Sequence, residues 1–378
     1  MTDLENRIRE SLRDPRRQLP DWPDPMPRIR RAARRQAATL AGAAAVLLAG
    51  VALPAALLSG LDIQSSGGKP PHTTTSSAAT PSVHAAIPRY PRWAGQLGGE
   101  VAYGCGDVLC LIRPDGTGQR GVPGSGRSLL PQWNVAWSAD GSRLSFRGYY
   151  GPGDGQYDLY AADANGCHLI RLTHGLNGES SSWSASGRQI TFSVPFALDV
   201  INANGTGLHQ LLANRTNDSY GVDAPAWSVR NRIAFVQYVP ARHASEIYAV
   251  NPDGSGRVPL THGGNGFGEP AWSADGHSIA FTAGPVTASV VEVENADGSG
   301  ARRVSPRSWV SYSPTWTPGG QLVFLRQTHP STDYSNVATS AYIVNRDGTG
   351  LRLLYPNLNA SQIAWGSMAL PPAACGSP

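Results

Sequence analysis

The chain has almost no lysine: of its 31 basic residues only Lys69 is one, and the rest are arginine. The basic surplus is also confined. Residues 1–36 hold ten arginines against six acidic residues, a difference that already equals the net charge of +4 for all 378 residues. The remainder is electroneutral, which argues against a basic nucleic-acid-binding domain. The G-x-S-x-G elbow that carries an α/β-hydrolase nucleophile is missing, and only 13 residues follow Trp365, too few for a hydrolase domain. Cysteine is scarce, with four in all, and the C-x4-C pair Cys105 and Cys110 lacks a second cluster to complete a zinc site. From these absences the chain is expected to be no enzyme, to carry no cofactor and to bind no nucleic acid.

Charge is missing from Ala37 to Leu61, a run of 25 residues. That exceeds the roughly 20 residues that cross a bilayer and the roughly 7 to 15 of a secretory h-region. Arg28, Arg30, Arg31, Arg34 and Arg35 precede it, and basic flanks stay on the cytoplasmic side. Ala52 to Gly60 offers no good A-x-A cleavage site. The sequence therefore predicts a cytoplasmic tail at 1–36, an uncleaved helix in the lipid bilayer at 37–61, and a Ser/Thr/Pro-rich linker at 62–92. A cleaved export signal, including a twin-Arg type, is the alternative. In the tail, Thr2 and Glu5 form a capping box, and Leu4, Ile8 and Leu12 follow at helical spacing before a run of prolines. A helix there can lie on anionic lipid or dock a cytoplasmic partner.

What the chain has in abundance is recurrence. Trp137, Trp183, Trp227, Trp272, Trp316 and Trp365 are 44 to 49 residues apart. Gly116, Gly166, Gly205, Gly254, Gly298 and Gly348, each after Asp or Asn, interleave with them one for one. A β-propeller blade has this period. In one unit Trp272 is followed by an Asp275-Gly276 turn, a β-type run to Phe281, a second run Val290 to Glu294, and an Asp297-Gly298 hairpin. The six tryptophans are expected to form a repeated structural core. Glu100 to Gly121 lacks a Trp-bearing strand and Ala360 to Trp365 supplies one, so the two ends are expected to share a blade. The fold class is thus all-β, a six-bladed propeller at 93–370 with terminal strand closure, followed by a tail at 371–378 and preceded by one transmembrane helix.

The phrases Pro225-Ala226-Trp227-Ser228, Pro270-Ala271-Trp272-Ser273-Ala274-Asp275-Gly276 and Asn251-Pro252-Asp253-Gly254-Ser255-Gly256 resemble the WD40-like (PD40) repeat of the TolB family. The resemblance implies a TolB-like propeller, in a group that includes periplasmic protein-binding modules and the non-catalytic propellers of prolyl-oligopeptidase relatives. The arginine bias, with abundant Ala, Gly and Pro, resembles that of actinobacterial membrane proteins.

Few residues stand out for chemistry. His174 and His262 occupy matching Leu-Thr-His-Gly phrases, which reflect either repeat drift or a metal pair at a channel mouth. Asp107, Asp158, Asp199 and Glu246 precede apolar runs in successive units, either as a recurring structural hydrogen bond or as a cation-attracting ring. Cys105 and Cys110 form a candidate disulfide, leaving Cys167 and Cys375, although spacing does not fix connectivity. The loops Tyr149 to Tyr157 and Gln327 to Val337 are candidates for recognition. The expected function is a membrane-anchored extracytoplasmic module that binds a protein, peptide or glycan. The alternatives are a transmembrane regulator of anti-sigma type and a propeller lyase or hydrolase with a channel cation.

Overall fold

The computed structural model describes residues 91–105, 108–122, 129–150, 157–195, 197–213, 221–263, 266–328 and 338–367. The tail 1–36, the uncharged run 37–61, the linker up to residue 90 and the tail 371–378 lie outside them. Among the described residues no helix is long and apolar enough to cross a membrane.

The described chain forms six four-stranded antiparallel sheets. Five are built from consecutive strands, as in Gly268–Trp272, Ser278–Ala283, Val290–Asn295 and Arg302–Arg303. In the remaining sheet Ile363–Gly366 pairs with Glu100–Gly104, placing Trp365 opposite Val101, so the expected closure by both chain ends is present. The first strands of successive sheets touch one another in a closed cycle. They therefore line the axis, and the fold is a six-bladed β-propeller in which each blade can be known by its tryptophan.

Burial follows from this layering. Ser278–Ala283, a second strand, is buried along its whole length, whereas the outermost strands Val258–Pro259 and Arg302–Arg303 are exposed. Successive side chains of a strand point to opposite faces, so a middle strand feeds the seams on both sides of its blade. Phe146, Phe192, Phe235, Phe281 and Phe324 take one register position on the second strands and are fully buried. Each such burial stabilises by about 1.5–3 kcal/mol. The tryptophans stitch neighbouring blades. Trp137, Trp272 and Trp316 donate from Nε1 to the carbonyls of Ala364, Ala226 and Ala271, at 3.2, 3.0 and 2.9 Å. Each acceptor is the residue just before the tryptophan of the preceding blade.

The hairpins between third and fourth strands repeat one turn. Their glycines hold φ between 80° and 86°, and each N–H donates to the residue three before at 2.7–2.9 Å. Gly has no Cβ to oppose this conformation. At Asp253 the side chain completes the turn, with Oδ1 accepting the Ser255 N–H at 2.9 Å and its hydroxyl at 2.6 Å. Cys105 and Cys110 form a disulfide with Cα atoms 5.8 Å apart. Cys167 is also disulfide-bonded, and Cys375, the expected partner, lies outside the described residues.

Candidate functional site

Counting back three residues from each tryptophan gives Asn134, Ser180, Ala224, Glu269, Ser313 and Gln362. Asn134, Ala224, Glu269 and Ser313 have left-handed backbone, with φ of 63°, 49°, 49° and 52°. The ladder between first and second strands shifts register at these points: between Trp133 and Ala136, Asp223 and Ala226, Gly268 and Ala271, and Tyr312 and Thr315. Such bulges leave residues outside the ladder. Pro225, Pro270 and Pro314 stand there because a missing N–H costs nothing where no ladder bond is made.

All six of these positions line a central channel of about 870 Å³. Side chains at this level join neighbouring blades. Glu269 Oε2 accepts the N–H of Ser313 at 2.8 Å, and Gln362 Oε1 accepts the N–H of Asn134 at 2.5 Å. In both cases a blade caps the left-handed N–H of the next. Ala224 has no side chain with which to do so, and its own N–H donates to Asp223 Oδ1 at 2.6 Å.

The channel is acidic. Glu179, Asp223 and Glu269 line it, and no Arg, Lys or His is among the described lining residues. Arg147 Nη2 lies 4.0 Å from Glu179 Oε1, and the Ser193 hydroxyl donates to Asp223 at 2.7 Å. The channel walls crowd Glu269, which nonetheless keeps exposed surface. That crowding raises its pKa above the ordinary glutamate value; the Ser313 N–H offsets part of the rise and the Asp223 charge adds to it. The arrangement offers a site for cations or amines.

The residues singled out from sequence are placed elsewhere. His174 and His262 are exposed, do not line the channel, and belong to blades separated by the Trp183 blade. Among the described residues no three His, Cys, Asp or Glu side chains are grouped to hold a metal ion. Asp158 and Glu246 are true equivalents and share one structural bond. Thr173 Oγ1 donates to Asp158 at 2.9 Å and Thr261 Oγ1 to Glu246 at 2.8 Å. Arg171 and Arg242 pair with them in turn. Asp199 is not equivalent: it stands opposite Phe192, where three other blades set Tyr160, Tyr248 and Tyr342 opposite their phenylalanines and the Trp272 blade sets Glu292 opposite Phe281. The three described acids therefore do not share one ring position, and Asp107 lies outside the described residues. Residues 151–156 and 329–337, most of the two loops expected to recognise a ligand, also lie outside them. The channel acids were missed because they share no single offset from tryptophan: Glu179 and Asp223 stand four residues before one, and Glu269 three.

No family model matches the chain. It is similar in structure to TolB from Acinetobacter baumannii, with a TM-score of 0.56 at 18% identity, covering 71% of this chain and 67% of that one. A chain in the crystal structure of a nidogen/laminin complex matches with a TM-score of 0.55 at 13% identity, covering 72% of this chain and 100% of that one. Both are likenesses of fold. A curated relative, the uncharacterized peptidase YuxL of Bacillus subtilis, is 26% identical over 140 residues, 33% of this chain and 21% of that protein. The chain thus spans about a fifth of the length of the relative it matches.

That relative overturns the expectation that the chain is no enzyme, because a stretch of 140 residues is matched in a protein named as a peptidase. The expectation rested on the missing nucleophile motif and the short segment after Trp365; a sequence does not show whether a cleft unites acidic groups. The fold supplies such a cleft, since the channel gathers Glu179, Asp223 and Glu269 from three successive blades.

Proposed function

We propose that this protein is a membrane-anchored, extracytoplasmic propeller that binds a basic peptide or protein segment at its channel. The observation that carries this reading is the channel itself, about 870 Å³ in volume and lined by three carboxylates with no described basic residue. Its volume falls in the range of ligand sites, and its field favours an amine. The uncharged run 37–61 behind its arginines supports the anchor and the orientation. The composition supports an actinobacterial setting for the same layout. Residues 1–36 are then the segment available to a cytoplasmic partner.

The YuxL likeness favours a second reading, in which the bound peptide is also cleaved. Both readings are tested on the full-length protein with lysine-rich and glutamate-rich peptides of matched length, by fluorescence anisotropy. The lysine-rich peptide is expected to bind in preference, and a Asp223→Asn, Glu269→Gln variant to weaken it at least about tenfold. Equal binding of both peptides, or an unaffected variant, overturns the channel as the site. Mass spectrometry of the recovered peptide separates binding from cleavage.

A further inference from the structure

A second cavity lies in the seam between the Trp272 and Trp316 blades, at the end of the strands that carries the hairpins. At the residue opposite the first position of each hairpin, five blades have a long polar side chain: Glu100, Arg143, Gln189, Arg232 and Gln321. The sixth has Ser278, opposite Asn295. The seam between the Trp137 and Trp183 blades shows what the long side chain does. There the Arg143 guanidinium carbon sits 5.0 Å from the centre of the Trp183 ring, and Nη2 crosses to the Ala203 carbonyl at 3.0 Å. Arg143 thus fills the space against the next blade's tryptophan.

Ser278 is too short to do the same. Against Trp316, the next tryptophan, a cavity of about 390 Å³ remains, lined by Ser273, Asp275, Ser278, Trp316 and Arg346 among others. Ser278 is fully buried, and its Oγ has no hydrogen-bond partner. A buried hydroxyl left unmade costs free energy until a partner arrives. Asp275 stands at the rim as a carboxylate. The Ser273 hydroxyl donates to it at 2.6 Å and the His277 N–H at 3.0 Å, which holds its pKa below the ordinary value. Arg346, at the position of Ala203, brings a like charge, but it is exposed and turned to Asn295 Oδ1 at 2.9 Å.

We propose that this cavity receives an arginine side chain from a partner protein, taking the place that Arg143 fills three seams away, directly across the ring. The guanidinium lies on Trp316, a planar cation on an indole face being favourable. One N–H meets Ser278 Oγ and the fork meets Asp275, the geometry that arginine offers and lysine does not. The site is on the opposite end of the strands from the channel acids and stands independently of the channel reading.

The test is ligand-observed NMR on the full-length protein with N-acetyl-arginine amide, N-acetyl-lysine amide and glucose as probes. The arginine probe is expected to bind, with the lysine probe weaker at least about fivefold. Ser278→Arg, which rebuilds the Arg143 arrangement, should abolish binding while thermal unfolding stays intact. Asp275→Asn should weaken it about tenfold, and Arg346→Ala should strengthen it by removing the like charge. Asp223→Asn with Glu269→Gln should leave it unchanged, which separates this site from the channel. Binding that survives Ser278→Arg, a preference for lysine or glucose, or no binding of the arginine probe overturns the proposal.

Discussion

Left-handed backbone occurs both in the outer hairpins and on the channel wall, but the two regions obtain it from different residues. In the hairpins glycine supplies it, as at Gly298 with φ of 84°, except at His168, whose φ is 50°, and nothing but the turn is gained. On the channel wall Asn134, Ala224, Glu269 and Ser313 supply it. A residue with a Cβ adopts this conformation at a cost of roughly 1–2 kcal/mol. The difference teaches that strain is kept where a side chain is wanted. Glu269 accepts a neighbouring blade's N–H and presents a carboxyl to the channel, which glycine could not do.

The comparison breaks first at Gly298. A Cβ there would lie 2.7 Å from the Leu260 carbonyl, in addition to the backbone cost. Gly298→Ala is expected to lose about 2–4 kcal/mol in urea unfolding followed by circular dichroism. A loss under about 1 kcal/mol would mean that the hairpins tolerate a side chain as the channel does.

Glu294 tests whether a lone acid outside the channel is tolerated in the same way. It stands where the other blades place Ile112, Ala162, Ile201, Val250 and Val344, and its Oε1 has no partner. Burial, with Glu292 and Asp297 nearby, raises its pKa to about 8. A raised folded pKa gives stability that is complete below the unfolded value near 4.5 and is lost as pH rises through 8. Glu294→Val should therefore gain about 1–2 kcal/mol at alkaline pH, an amount reduced from the full shift by solvent screening, and little in acid. A gain that is the same at both pH values would place the effect in packing alone.

At Glu269 the effect falls on binding. Affinity for the lysine-rich peptide should fall as pH drops through a midpoint above the ordinary glutamate range, because a protonated acid no longer attracts the amine. Glu269→Gln retains an acceptor for Ser313 and should flatten that profile. An unchanged profile assigns the titration to another group. The smallest effect belongs to Ala224→Gly. Relief of the left-handed cost competes with the added freedom of the unfolded chain, for a net gain of at most about 1 kcal/mol. A clear loss would show that the Ala224 methyl has a packing role.

The blade count, the hairpins and the closing strand were legible because each follows from repeated local chemistry: a tryptophan and an Asp-Gly or Asn-Gly turn six times, and a buried phenylalanine five times. The channel was not legible in that way. Glu179, Asp223 and Glu269 are far apart in sequence and are brought together only by ring closure, and each looks like an ordinary solvated acid. The conspicuous His174 and His262 proved to be exposed, since matching phrases in a repeat mark equivalent places around a ring rather than neighbouring ones. Asp199 misled for a related reason. A one-dimensional reading set it beside Asp158, whereas pairing with Phe192 puts it two residues out of step.

The closing sheet has a mechanical consequence. A pull arriving from the N-terminal side enters through Glu100–Gly104, which is flanked by Ile363–Gly366 on one side and Leu109–Ile112 on the other. Antiparallel ladder bonds run perpendicular to the strands, so tension along Glu100–Gly104 loads both ladders in shear, with the bonds sharing the force instead of peeling open one at a time. The strand through which a tether would tug on the propeller is thus also the one clasped on both sides to hold the ring shut.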